Sequence, residues 1–274
     1  MTYTTILLEK NDGVATLVLN RPDRLNAINQ TMLREIDRAL DEVEADPDIR
    51  AVVVTGAGSA FSSGFDLKEQ MEKRPSGVAQ WRTLLRNDFD PVIRFWRLSK
   101  PTIAAVNGHC LAGACELALA CDITVASEKA VFGEPELKFG AGIVVMILPW
   151  IVGPKIAKEI ILTGEDRITA DRALQIGMVN RVVSADRLLE EARRTARHIA
   201  AIDPNLVRQT KRAINRAFEI MGMGEALEAA LDIDLQIEGE GSPDKQEFMD
   251  IARAQGLRAA IAWRDGRFPG EAGQ

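Results

Sequence analysis

Residues 109–122 read HCLAGACELALACD, and Glu116 in their midst needs an explanation. It follows the small residues Ala112-Gly113-Ala114-Cys115 and precedes the apolar Leu117-Ala118-Leu119-Ala120. A carboxylate there enters a buried helix with no cation beside it in sequence, and burying an unpaired charge is costly. Gly113 sits near the start of that helix. Backbone N–H groups at a helix start lack intrahelical acceptors and favour an oxyanion. A residue without a Cβ lets an acyl oxygen approach them closely. A second acidic pair, Glu134 and Glu136, flanks Pro135 in VFGEPELKFGAG (131–142). One of the two could face a second carboxylate, and two carboxylates at one site divide acid and base roles because each shifts the other's proton affinity. A third stretch, TGAGSAFSSGFDLKE (55–69), follows an apolar run. Its Gly56, Gly58 and Gly64 permit close backbone approach to a ligand, but the spacing matches neither a P-loop nor a dinucleotide fingerprint.

The elements that must position these residues alternate. TTILLE (4–9) and VATLVLN (14–20) read as strands split by the turn Asn11-Asp12-Gly13. Leu33, Ile36, Leu40 and Val43 recur at helical spacing, and Pro47 follows the helix end. AVVVTG (51–56), TIAAVNG (102–108) and DITVAS (122–127) are nearly continuous apolar runs, as expected of parallel strands covered on both faces. The helix carrying Glu116 lies between the last two, so the fold class is α/β. Helical periodicity dominates from about 184, over 184–201, 204–221, 224–238 and 243–262. The chain divides at the shift near residue 200, into an α/β core (1–200) and a helical region (201–274).

Composition bounds the rest. The chain has 274 residues, 46% hydrophobic and 27% charged, which suits one large domain with a sizeable core. Its net charge of −6 argues against a general nucleic-acid or anionic-membrane surface. No run of about 18 apolar residues predicts a membrane span, and the N-terminal segment does not read as a signal peptide. Cys110, Cys115 and Cys121 lack zinc-type pairing and read as buried small side chains in a reducing compartment, so the expected location is cytoplasmic. No metal is expected. His109 and His198 show no triad partners.

Five motifs carry a resemblance. LNRPDRLNAIN (19–29), FSSGFDLKE (61–69), KPTIAAVNGHCLAGACELALACD (100–122), FGEPELKFG (132–140) and LTGEDRITADRALQIGMVNRVV (162–183) together resemble the crotonase superfamily, the enoyl-CoA hydratase/isomerase family. The resemblance implies a spiral of ββα units with C-terminal helices that drive assembly into a trimer or a dimer of trimers. It implies an acyl-CoA substrate and no separate cofactor, coenzyme A being part of the substrate. It places an oxyanion hole at the Phe65 and Gly113 N–H groups. It implies that Glu116 takes a proton from water as it attacks Cβ and that Glu136 supplies one to Cα. Glu134 does not match and is read as structural or pocket-edge. Ser63, Asp66 and Leu67 beside the Phe65 turn, with Arg24, Arg267 and Phe268, are candidate substrate contacts. The family usually has Pro-Gly where this chain has Ile143-Val144. Ile143, Val144 and Val145 either narrow the acyl pocket or fill the core. The region 70–99 adds Trp81, Phe89 and Trp96, as pocket lining or as core.

The reading is therefore an enoyl-CoA hydratase. Isomerisation, or hydration with carbon–carbon cleavage of an aromatic enoyl thioester, is the alternative in the same fold. A non-catalytic or RNA-binding relative is disfavoured by the acidic balance and both glutamates. A Ser/His hydrolase lacks its triad.

Overall fold

A computed structural model describes residues 3–73 and 75–268. The chain opens with the antiparallel hairpin of β1 (Ile6–Asn11) and β2 (Val14–Leu19), then α1 (Gln30–Ala45), whose N-cap Asn29 accepts from the Met32 N–H. Three units follow, each contributing two strands: β3 (Ala51–Gly56) and β4 (Ala60–Ser62), then α2 (Leu67–Lys73) and α3 (Gly77–Arg97); β5 (Thr102–Val106) and β6 (His109–Leu111), then α4 (Gly113–Ala120); β7 (Ile123–Ser127) and β8 (Val131–Gly133), then a 3-10 turn over Glu136–Phe139. Next come α5 (Leu148–Val152), α6 (Pro154–Thr163), β9 (Ile168–Thr169), α7 (Ala170–Gln175) and β10 (Arg181–Val183). The remainder is helical: α8 (Leu188–Ala200), α9 (Pro204–Ile220), α10 (Met223–Glu240), α11 (Pro243–Gln255) and α12 (Leu257–Gly266).

The first strand of each unit joins a six-stranded sheet in the order β1-β2-β3-β5-β7-β10, parallel from β2 onward. The second strand joins a four-stranded sheet, β4-β6-β8-β9. This is the ββα spiral expected from the resemblance. The apolar runs of β3 and β5 are buried throughout because α8 covers one face and the main core lies on the other.

Two boundaries differ from the sequence reading. The first strand begins at Ile6 because Thr4 and Thr5 are taken up by Glu35 of α1: four N–H and O–H groups donate to its carboxylate at 2.6–2.8 Å. The helix expected over 243–262 is two helices, broken at Gly256 with φ +92°. The C-terminal helices return to the core. α10 packs along α3, while α11 and α12 cover the Glu136–Phe139 turn, with Phe248 centred 5.3 Å from Phe139 and 6.5 Å from Trp263.

Candidate active site

The strands β4, β6 and β8 are parallel neighbours, so their ends open on one side of the small sheet. The chain leaving β4 makes the Ser63–Asp66 turn. The chain leaving β6 enters α4 with Glu116. The chain leaving β8 carries Glu134 and Glu136. Three distant motifs are thereby held about one strand spacing apart, roughly 4.8 Å, at the strand ends where α/β sheets present ligand sites.

Gly64 draws the first two together. Its φ is +91°, and a Cβ there would stand 2.8 Å from the Leu111 carbonyl oxygen and 3.4 Å from the Gly113 nitrogen. Phe65 bridges Ile28 through its neighbours: the Ile28 N–H donates to the Gly64 carbonyl and the Asp66 N–H to the Ile28 carbonyl. The Phe65 N–H therefore takes no part in this bridge. The Gly113 N–H, at the first position of α4, has no intrahelical acceptor. Ahead of it Ala112 is held at φ 56°, ψ −138°, a region that disfavours any residue with a Cβ. Its N–H donates to the Gly133 carbonyl at 2.8 Å, which ties α4 to β8.

The carboxylates are buried together. One oxygen each from Glu116, Glu134 and Glu136 lie within 4.8 Å of one another. Glu116 Oε1 accepts from the Val145 N–H at 3.0 Å, while its Oε2, both Glu134 oxygens and Glu136 Oε2 have no partner among the described residues. Burial, and next the charge of Glu136, raises the Glu116 carboxyl well above the ordinary range; the Val145 N–H acts in the opposite sense. Burial also pushes Glu136 up to about 8 and raises Glu134 strongly, to which Cys115 and the two other glutamates add. Glu35 is the counter-example within the chain. Burial would raise it too, but its four donors hold it at about 2. Burial thus favours the protonated form of Glu136 near neutrality. Carboxylate oxygens this close could also bracket a hard cation, and these three glutamates would be its ligands.

Glu134, read from sequence as structural or pocket-edge, stands beside Glu116 and Glu136 with both oxygens unpartnered among the described residues. Asp66 also differs from expectation. Its carboxylate pairs with Arg21 at 2.8 Å and accepts the first N–H groups of α2, so it positions the Phe65 turn. Sequence reasoning gave no role to Asn26, which is buried with φ 54°. Its amide donates to the Ala57 and Ala60 carbonyls at 2.8 Å and accepts from the Arg21 N–H, bracing that turn from below.

The other candidates are spread out. Ser63 is half-buried and Leu67 packs beside Met71 against Phe139 and Phe248. Leu67 also lines a 30 Å³ cleft with Phe65, Leu84 and Asp88. Ile143, Val144 and Val145 are all buried in the main core cluster. Phe89 is fully buried, Trp96 packs edge-on against Phe218, and Trp81 lies beneath the Lys245 ammonium at 4.6 Å. Arg24 is exposed at the end of a 3-10 turn (Pro22–Arg24). Arg267 pairs with Asp244 at 2.8 Å and lies over Trp263, while the Lys138 ammonium stands 5.4 Å from the Phe268 ring. His109 and His198 are exposed, and all three cysteines are buried and free.

The family model for enoyl-CoA hydratase/isomerase matches residues 9–245. The chain belongs to this family. It is 69% identical to an enoyl-CoA hydratase/isomerase from Xanthobacter autotrophicus Py2 of known crystal structure, with a TM-score of 0.97 over 98% of this chain and 100% of that one. A short-chain-enoyl-CoA hydratase of Clostridium acetobutylicum is 39% identical over 257 residues, 91% of this chain and 94% of that protein. A crotonyl-CoA hydratase of Syntrophomonas wolfei is 36% identical over 240 residues, 85% of this chain and 88% of that protein.

Proposed function

We propose that the chain is an enoyl-CoA hydratase, adding water across the 2,3-double bond of an enoyl-CoA thioester. The observation that carries this reading is the apposition of the buried carboxyls of Glu116 and Glu136, with the tight Gly64 turn packed against the start of α4. In the proposed mechanism the thioester oxygen accepts from the Phe65 and Gly113 N–H groups, which stabilise the enolate-like charge that develops as water attacks. Preorganised donors of this kind are each worth about 10²–10³-fold in rate. Glu116, oriented by the Val145 N–H, takes a proton as the water oxygen bonds to Cβ. Glu136, whose raised proton affinity keeps it acidic near neutrality, delivers a proton to Cα. The sum is one water added, and proton passage between the glutamates resets them. Glu134 stands in the same cluster, and burial raises its proton affinity as well.

Arg24, Arg267 and Phe268 would meet the coenzyme A portion, and Ser63, Leu67 and Val144 would border its acyl end. No cofactor beyond the substrate and no metal enters this chemistry, so turnover should be insensitive to EDTA. The chain works as a homo-oligomer, a trimer or a dimer of trimers. Support comes from the apolar side chains exposed on α9 (Leu206, Ile214, Ile220) and on the outer face of α10 (Ile233, Ile237). The free cysteines and acidic balance fit the cytoplasm. No described helix is long and apolar enough to cross a membrane.

The test is a panel of 2-enoyl-CoA thioesters followed by loss of enoyl absorbance, with products weighed by mass spectrometry. A gain of one water on at least one thioester is expected. No reaction on any, or a double-bond shift without added water, overturns the reading.

A further inference from the structure

α10 carries a buried acidic residue that the chemistry above does not use. Asp234 is 2% exposed, and both of its carboxylate oxygens lack a partner among the described residues. Its neighbours on the helix are accounted for. Leu231 and Leu235 pack in the core. Glu238, one turn on, pairs with Lys245 and accepts the Gly142 N–H at 3.3 Å. Lys245 is in turn engaged by the Trp81 ring. On the facing helix α3, Asp88 accepts from the Gln30 amide. Asp234 is the carboxylate left over where α10 meets α3.

Its placement is specific. A Cβ on Gly142 would fall 1.9 Å from Asp234 Oδ1, so the absence of a side chain at 142 is what lets the carboxylate sit against this loop. Three residues further, the same loop presents the Val145 N–H to Glu116. The loop 140–145 carries Val144, the residue assigned above to the acyl end.

An unpartnered buried carboxyl is destabilising unless something binds it. We propose that Asp234 recognises a hydroxyl group on the acyl chain, so that the preferred substrates are hydroxylated 2-enoyl-CoA thioesters. A hydroxyl is both donor and acceptor. It can donate to an ionised Asp234 or accept from a protonated one, whereas an alkyl terminus leaves the carboxyl unsatisfied in either state. Sites built to bond a substrate hydroxyl reject the analogue lacking it far more strongly than apolar pockets reject a methylene. This inference rests on the hydratase reading.

The experiment compares 2-enoyl-CoA thioesters of four, five and six carbons with their counterparts hydroxylated at the terminal carbon. The readout is the ratio of kcat/KM, hydroxylated over parent. In the wild type the ratio should reach about tenfold or more at one chain length. Asp234→Leu should bring it to one or below, and Asp234→Asn, which keeps hydrogen-bonding atoms, should retain part of it. A wild-type ratio near or below one at every length overturns the proposal whether or not the variants fold. A high ratio that survives in both variants overturns it as well. Hydration of crotonyl-CoA in those cases leaves the hydratase reading standing. Absence of hydration on every thioester overturns that reading, and this inference with it.

Discussion

Glu116 and Glu136 carry the proposed chemistry, and each should be replaceable by its amide without loss of fold, because the carboxyls make few bonds that an amide cannot. Glu116→Gln and Glu136→Gln should each lower kcat by about 10²–10⁴-fold with melting temperature kept or raised. Turnover within a few-fold of wild type for both would end the assignment. Ala112 offers a second test. Its backbone suits glycine, and relief of that strain, of order 1–3 kcal/mol, exceeds the extra unfolded-chain entropy of a glycine. Ala112→Gly should therefore raise the melting temperature, and a fall would show that the Ala112 methyl packs better than its backbone suffers. Glu116 was legible in sequence because a charge inside an apolar run has no bland explanation. Glu134 was not, since two glutamates around a proline look alike until β8 and the following turn fix both inward. Asp234 was hidden by the helical periodicity of its neighbours, which gives no clue to a residue whose significance lies in what faces it.

The elements act through their ends. Gly64→Ala would drive a Cβ against the Leu111 carbonyl and force a left-handed φ on alanine, separating the Phe65 and Gly113 donors. The expected loss is about 10²–10³-fold in kcat/KM, as for removal of one oxyanion donor. Measured kinetics within a factor of two would place the oxyanion site elsewhere. Val144 tests the loop 140–145. It is buried in the main core cluster, so Val144→Gly should lower stability by roughly 2–3 kcal/mol through lost burial and added chain freedom. A parallel thermal melt and crotonyl-CoA assay decides whether it shapes the acyl pocket as well; a strong gain on crotonyl-CoA with no loss of melting temperature would make it a pocket residue alone. The long buried strands were readable from their apolar runs. β4, β6 and β8 were not, because each spans three residues and exists only through pairing with the others. The break at Gly256 escaped for a related reason: helical periodicity continues across it.

At the scale of the whole molecule, the apolar side chains left on α9 and α10 call for a partner surface. Light scattering should give three or six times the 30.0 kDa chain mass, and a monomer at micromolar concentration would contradict the proposed assembly. Stability should also depend on pH in a particular sense. Burial raises Asp88 and Glu136 to about 8 and Asp234 to about 7, against roughly 4 in an unfolded chain. The folded state then binds more protons than the unfolded one between those limits. The stabilisation is fully present below the unfolded values and is lost as pH rises through the folded ones. The melting temperature should fall from pH 6 to 8.5, with a shallower slope in Asp88→Asn. A rising curve over that interval would refute the burial of these groups as acids.

The orphaned carboxyls have a calorimetric counterpart. Near neutral pH the native chain stores protons on Glu136 and Asp88, both raised to about 8 by burial, that it must release when it melts. The buffer takes them up, and its own heat enters the measurement. Tris gives out much heat on protonation and phosphate little. At matched pH and temperature the apparent unfolding enthalpy should therefore be smaller in Tris, and the difference counts the protons that the folded interior had been keeping from solvent.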